Sequence, residues 1–194
     1  MDRPLILAFD TSAAHCAAAL LSGDTVIAKT FEDMKKGQAE RLMFLLQDVL
    51  DQHNLNYTDL DAIAVGVGPG NFTGIRIGVS AARGLALGLG IPAYGVNGFD
   101  QRAILDPTAL VQNIPAPRDQ RYVRDASGAA LISAEAFENK GYVDQSIPTP
   151  DALAASIALA ARNRYPATTA APAPYYLKVP DAAPSKIAAP TILP

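Results

Sequence analysis

Apolar and polar residues are distributed over the first hundred positions in a pattern that predicts alternating strands and helices. Short apolar runs at 5–9, 16–21, 25–29 and 62–67 predict strands, and a further strand begins at 91–96. Apolar positions spaced three and four apart predict helices over 37–53 and 73–90. The first three strands form a meander, whereas 62–96 reads as strand, helix and parallel strand with a right-handed crossover. The pattern predicts an α/β fold.

The helix predicted after the Gly68-Pro69-Gly70 turn has two faces that need neighbours. Either Asn71 or Thr73 can cap its first turn, and Gly90 with Pro92 ends it. Two rows of residues follow helical spacing: an apolar stripe of Ile75, Val79, Ala82, Ala86 and Leu89, and a small-residue row of Ser80, Gly84 and Gly88. Because glycine costs about 1 kcal/mol against alanine inside a helix, Gly84 and Gly88 suggest that another backbone approaches them. That backbone belongs either to the chain itself or to a second protein.

The helix predicted over 37–53 presents one apolar stripe to the core. The stripe contains Leu42, Leu45, Leu46, Val49, Leu50 and His53. Phe44 lies off this stripe among charged residues, either as a contact for a second protein or as an isolated exposed aromatic.

Beyond residue 100 the signals are weaker. They predict short strands at 108–113, 120–124 and 129–132 and an alanine-rich helix at 151–160. We therefore divide the chain into an N-terminal lobe (1–100), a small second α/β subdomain (101–165) and an extended Pro/Ala-rich tail (166–194).

Composition limits the classes of function. The chain has 194 residues, 49 % of them hydrophobic, so it can bury a substantial core. Its net charge of −3 disfavours stable binding of nucleic acid by this chain alone. The single cysteine, Cys16, fits a reducing compartment and is expected to be a buried, inert thiol. The N-terminus carries no leader pattern and no apolar run is long enough to span a membrane, so we expect a cytoplasmic protein.

Few residues of this sequence suggest catalysis. Asp10, Thr11 and Ser12 follow the first strand and can hold a metal-bound water and a phosphate, or simply cap their own loop. The turn from Gly68 to Gly74 lacks the lysine of a phosphate-binding loop, and Asn71 interrupts a dinucleotide-binding pattern.

The two histidines, His15 and His53, are far apart in sequence. We therefore expect no Ser/His/Asp, Cys/His or His-x-x-x-His arrangement, no catalytic residues and no metal site.

Several motifs in this chain resemble the bacterial TsaB (YeaZ) family. They are Phe9-Asp10-Thr11-Ser12, Glu40-Arg41-Leu42, Gly68-Pro69-Gly70-Asn71-Phe72-Thr73-Gly74-Ile75-Arg76-Ile77-Gly78, Gly84-Leu85-Ala86, Tyr176-Leu177-Lys178 and Pro180-Asp181-Ala182. The match is strong over about residues 4–100, whereas the second subdomain matches only in outline and is short for the family.

The resemblance implies an actin-like ATPase (sugar kinase/Hsp70-type) fold with two lobes and a mixed sheet flanked by helices. It also implies a non-catalytic partner of TsaD, which with TsaE modifies the adenosine beside the anticodon of ANN-decoding tRNAs. The family uses its first two helices for self-pairing and for binding TsaD, and these correspond to 37–53 and 73–90. The catalytic relative holds its metal through a His-x-x-x-His motif, and the matching region, 37–42, contains no histidine.

We therefore expect a scaffold that forms a homodimer alone and a heterodimer with TsaD, reaches tRNA only through that complex and has no membrane contact. It needs no cofactor of its own, with ATP or ADP as a candidate ligand at the interface of the complex. The expected contact residues are Glu40, Arg41, Phe44, Arg76, Ile77, Ser80, Arg83 and Gly84, and Asp10, Thr11 and Ser12 form a vestigial nucleotide loop. The alternatives are a small ATPase or kinase that uses Asp10, Thr11 and Ser12, and a peptidase, which the lack of a histidine pair disfavours.

Overall fold

A mixed five-stranded sheet forms the centre of the N-terminal lobe. The computed structural model describes residues 3–167 and 170–177. The sheet has the order β3-β2-β1-β4-β5, in which β1, β2 and β3 pair antiparallel and β1, β4 and β5 pair parallel. Its strands are β1 (Leu5–Asp10), β2 (His15–Ser22), β3 (Thr25–Asp33), β4 (Ala62–Gly66) and β5 (Ala93–Val96). The predicted meander and parallel crossover are confirmed.

Helices cover both faces of this sheet, because its central strands are apolar on both sides. On one face lie α1 (Gln38–Asp51) and α2 (Phe72–Leu89), which pack against Leu7 and Phe9 of β1. On the other face lies α5 (Pro150–Arg162), which packs against Ile6 and Ala8. The alternation of burial partners along β1 follows the two-residue period of a strand.

The position of α5 corrects the predicted second subdomain. The helix expected at 151–160 forms, but it packs on β1 and β2 of the first sheet and so belongs structurally to the N-terminal lobe. Its buried residues are mostly alanines, which let the helix axis approach the small side chains of β2 closely. The segment 101–165 is therefore not one separate unit.

The second lobe is a three-stranded antiparallel sheet. It contains β6 (Gln112–Ala116), β7 (Gln120–Asp125) and β8 (Gly128–Ser133), with α3 (Gly98–Leu105) before it and α4 (Ala134–Asn139) after it. The first strand was predicted at 108–113; it begins later and includes Pro115, which an edge strand tolerates. Within the described residues, no helix is both long enough and apolar enough to cross a membrane.

The local signals of α2 predicted its ends but not its tight contact. Asn71 caps the helix by accepting a hydrogen bond from the Gly74 N–H (2.8 Å), and Gly90 ends it in the left-handed conformation. A Cβ placed on Gly74 would lie 1.9 Å from the Thr11 carbonyl oxygen, so Gly74 is the glycine that another backbone approaches. Gly84 and Gly88 have no atom within 4 Å of such a Cβ, so among the described residues no backbone of this chain lies against them.

The described part of the tail lies along the N-terminal lobe. The Tyr175 N–H donates to the Val67 carbonyl (2.8 Å), and the Tyr175 ring packs edge-on to Phe99. Tyr176 stacks on Phe72 with 5.0 Å between ring centroids. Segment 170–177 is therefore extended and attached to the lobe, whereas the motif residues Lys178 and Pro180-Asp181-Ala182 lie outside the described residues.

Candidate functional site

The Asp10-Thr11-Ser12 loop uses its own side chains to hold the N-terminal lobe together. The Thr11 hydroxyl donates to the Gly74 carbonyl (2.7 Å), which ties the loop to the first turn of α2. The Ser12 hydroxyl donates to Oδ2 of Asp10 (2.9 Å). Both hydroxyls that were considered for a phosphate thus have partners inside the chain, and neither of them caps the backbone of its own loop.

His15 joins this loop, which the sequence analysis did not foresee. Its Nε2 lies 2.8 Å from Oδ2 of Asp10, and both side chains are buried. Since an ionised carboxylate only accepts hydrogen bonds, Nε2–H is the donor. The expectation of no Ser/His/Asp arrangement is wrong in one respect, because Ser12, His15 and Asp10 do lie together. They do not form a nucleophilic triad, because Ser12 and His15 both donate to the carboxylate and the serine does not donate to the imidazole.

The donors around Asp10 do not fit a magnesium-bound nucleotide, the ligand that the fold class would imply. Oδ2 of Asp10 is occupied by Ser12 and His15, and Oδ1 is buried with no hydrogen-bond partner among the described residues. Oδ1 lies 2.0 Å from where a Gly66 Cβ would be, so it faces the sheet and α5. Among residues 3–167 and 170–177, no group of three or more His, Cys, Asp or Glu side chains is placed to hold a metal ion.

A cleft separates the two lobes beside this loop. The cavity has a volume of about 270 Å³, and Ser12, His15, Asn71, Arg102 and Tyr122 are among its lining residues. Arg102, on α3, is 8 % exposed and donates from Nη1 to the Gly98 carbonyl (3.2 Å). Burial lowers the pKa of Arg102 to about 10, partly offset by the charge of Asp10.

Sequence reasoning missed Arg102 and His15. The one available signal for Arg102 was its position four residues after Gly98, on the buried side of α3.

The predicted contact residues lie at the surface of α1 and α2. They form three groups: one in each of two grooves beside α2, and one on α1. Arg76, Ile77 and Ser80 line an apolar groove between the two helices, together with Met43 and Phe72. Arg83 and Gly84 line a second groove at the carboxyl end of α2, beside Leu87, which is 86 % exposed.

Glu40, Arg41 and Phe44 lie on α1. Phe44 is 67 % exposed, whereas Arg41 is held by Glu32 (2.6 Å) and Asp48 (2.8 Å).

Arg76 is positioned by aromatic neighbours. Its guanidinium carbon lies 3.9 Å from the centroid of the Phe72 ring, and its Nε donates to the Tyr176 hydroxyl (3.3 Å). Tyr176 in turn stacks on Phe72. The tail therefore fixes one edge of the groove between α1 and α2.

The fold and this cleft define the class of the chain. A mixed five-stranded sheet with helices on both faces, an Asp-Thr-Ser loop after the first strand and a cleft between two lobes form the actin-like ATPase fold, as the sequence resemblance predicted. The solved structure of YeaZ from Pseudomonas aeruginosa superposes with a TM-score of 0.71 at 26 % identity, covering 90 % of this chain and 100 % of that chain.

Sequence comparisons find relatives of the chain that carry the TsaB name. The chain is 44 % identical over 92 residues to the tRNA threonylcarbamoyladenosine biosynthesis protein TsaB of Escherichia coli, covering 47 % of this chain and 39 % of that protein. It is 41 % identical over 98 residues to TsaB of Bacillus subtilis, covering 50 % and 43 %. Residues 26–108 match the family model described as TsaD: tRNA N6-adenosine threonylcarbamoyltransferase. The chain is therefore similar to proteins of the TsaB (YeaZ) family, and its matches span less than half the length of these two TsaB relatives.

Proposed function

We propose that this chain is a non-catalytic scaffold subunit in the threonylcarbamoyl modification of tRNA, and that it binds TsaD and acts with TsaE. The relatives' name, tRNA threonylcarbamoyladenosine biosynthesis protein, supports the process. The outward row of Ser80, Gly84 and Gly88 on α2 carries the proposal of a protein partner, because no described part of this chain approaches those glycines. The distance between two packed helices depends on the side chains at the contact, so a row of small residues permits a close approach.

The charges of the two helices favour pairing of helix with helix. The α2 helix contains Arg76 and Arg83 and no acidic residue, whereas α1 contains Glu40, Asp48 and Asp51 beside the single cation Arg41. In a two-fold arrangement, α2 of one protomer can therefore face α1 of its partner with opposite charges. A related actin-like partner that presents the same two helices can replace the second copy. The same surface then serves a homodimer of the free chain and a heterodimer with TsaD.

The chemistry around Asp10 supports a non-catalytic role. The Thr11 and Ser12 hydroxyls donate their hydrogen bonds to protein oxygens, and Oδ1 of Asp10 faces apolar surroundings. The chain thus needs no cofactor of its own, and ATP or ADP belongs to the interface of the complex. We propose a cytoplasmic location, where tRNA and TsaD are available, and contact with tRNA only through the complex.

Charge reversal on α2 tests this proposal. We expect the double variant Arg76→Glu, Arg83→Glu to lose binding to TsaD of the same organism, measured by titration calorimetry, because both substitutions place acidic groups against the acidic partner surface. Arg3→Glu, Arg118→Glu is the matched control, since these exposed arginines lie outside α1 and α2, and it should bind like the wild type. Circular dichroism must show that both variants are folded. Unchanged binding by the Arg76→Glu, Arg83→Glu variant would refute the assignment of the α1 and α2 surface as the binding site.

The competing function is a small ATPase. It requires that the isolated chain hydrolyse ATP and that Asp10→Ala abolish the hydrolysis. We expect no hydrolysis above the buffer background from the wild type. A measured turnover that disappears in Asp10→Ala would replace the scaffold proposal by the enzyme.

A further inference from the structure

The cavity between the lobes contains a buried cation, Arg102, for which the described residues provide one hydrogen-bond acceptor. Arg102 is more than nine-tenths buried, and one of its five N–H donors bonds to the Gly98 carbonyl. Among the described residues, no carboxylate lies within ion-pair distance of its guanidinium, whereas Arg121 and Arg124 on β7 both form such a pair. A buried guanidinium without a carboxylate is costly unless something else supplies the negative charge.

The surroundings of Arg102 favour an anion in the cavity. Asp10 is the acidic group among the described residues whose charge acts on Arg102, and its Oδ2 already accepts hydrogen bonds from Ser12 and His15. Gly70 and Asn71 bring the amino end of α2, with its partial positive charge, to the cavity wall. None of the described residues that line the cavity is Asp or Glu. The same cavity is thus lined by a cation from α3, by the start of α2 and by the polar side chains of Ser12 and His15.

The size of the cavity restricts the ligand. Its volume of about 270 Å³ lies below the roughly 300–1,000 Å³ typical of pockets for drug-sized ligands and cofactors. Ile114, Pro115 and Tyr122 close it from the second lobe. This space suits a small molecule with a single anionic group better than a nucleoside triphosphate.

We propose that the cleft between the lobes is a binding site for a small oxyanion, a carboxylate or phosphate group that pairs with Arg102. The planar guanidinium offers two parallel N–H donors that match the oxygens of either group. A ligand held there contacts Arg102 on one side and β6 and β7 on the other, so it links the two lobes. This site is separate from the α1 and α2 surface, and the proposal does not depend on the identity of the protein partner.

Titration calorimetry of the full chain tests the proposal with inorganic phosphate, acetate and ATP as three separate probes. We expect saturable one-to-one binding of phosphate or acetate, and the tighter of the two identifies the ligand group. ATP should bind no more tightly than phosphate. Absence of saturable binding by both small anions, or tighter binding of ATP, would overturn the proposal.

Two substitutions at one position distinguish pairing from general charge effects. Arg102→Gln should weaken binding of the preferred anion at least tenfold, whereas Arg102→Lys, which keeps the charge but not the paired donors, should weaken it less. Lys36→Gln is the control for loss of one positive charge, because Lys36 is exposed and does not line the cavity. It should bind like the wild type. Equal affinity in wild type and Arg102→Gln would contradict the site. If Arg102→Gln does not fold, equal affinity in wild type and Arg102→Lys would contradict it instead.

Discussion

Two identical substitutions in α2 should have opposite effects on stability. Gly84→Ala adds a methyl group inside an 18-residue helix, at a place where the described residues put no atom within 4 Å apart from the helix's own nearby backbone. Since alanine exceeds glycine in helix propensity by about 0.8–1.0 kcal/mol, we expect the isolated chain to gain up to about 1 kcal/mol. For a chain of this length that corresponds to a rise in Tm of about 2–4 °C.

Gly74→Ala is the matched counterpart on the same helix. Its Cβ would lie 1.9 Å from the Thr11 carbonyl oxygen, which is backbone and cannot rotate away. The helix must shift, and the hydrogen bond from the Thr11 hydroxyl to the Gly74 carbonyl shifts with it. Overpacking of this kind costs about 1–3 kcal/mol, a fall in Tm of roughly 2–12 °C.

Thermal unfolding followed by circular dichroism measures both effects, at a protein concentration where light scattering shows a monomer. A Tm for Gly84→Ala below that of the wild type would mean that its surface is covered within the folded chain, which would refute the free surface of α2. A neutral Gly74→Ala would refute the tight contact with Thr11. Gly84→Ala should lower the affinity for the protein partner even though it stabilises the monomer, because the added methyl group obstructs close packing on the small-residue row.

The remaining predictions concern titratable groups. Burial, and after it the charge of Glu32, raises the pKa of the Cys16 thiol to about 11. Cys16 should therefore react with a disulfide reagent at pH 8 about a hundredfold more slowly in the folded chain than in urea. Equal rates would show that the thiol is accessible. Hydrogen bonds from Tyr142 and then Ser127 lower the pKa of Asp125 to about 2. The ionised carboxylate therefore stabilises the fold at pH values above 3.8, its ordinary pKa, and this contribution disappears as the pH falls towards about 2. Asp125→Asn should therefore be less stable than wild type at pH 7 in urea unfolding, with the difference shrinking below pH 3.8; a difference that grows in acid would contradict this.

Local signals predicted the elements of the first lobe because they act over a few residues. Asn71 and Gly90 lie at the ends of α2 as their capping preferences require. The apolar spacing of α1 predicted its buried face correctly from Leu42 to Leu50, whereas His53 lies beyond the helix and is exposed. The stripe from Ile75 to Ala82 likewise identified the buried side of α2, although Ala86 and Leu89 at its end are only partly buried.

Contacts between distant segments could not be predicted in this way. An alanine-rich helix packs well on many surfaces, so nothing in 150–162 itself specified the first sheet as the partner of α5. Gly74 and Gly84 are equivalent by sequence pattern, and only the position of Thr11 makes one of them indispensable. The convergence of His15, Asp10 and Arg102 likewise depends on how β2, β1 and α3 meet at the cleft.

The most direct test of the scaffold proposal is the mass of the purified chain by light scattering, alone and mixed with TsaD from the same organism, with and without ATP. We predict a homodimer that exchanges into a one-to-one complex with TsaD, and we predict that Arg76→Glu, Arg83→Glu prevents both. A chain that stays monomeric, does not change the mass of TsaD and hydrolyses ATP by itself would contradict the proposal.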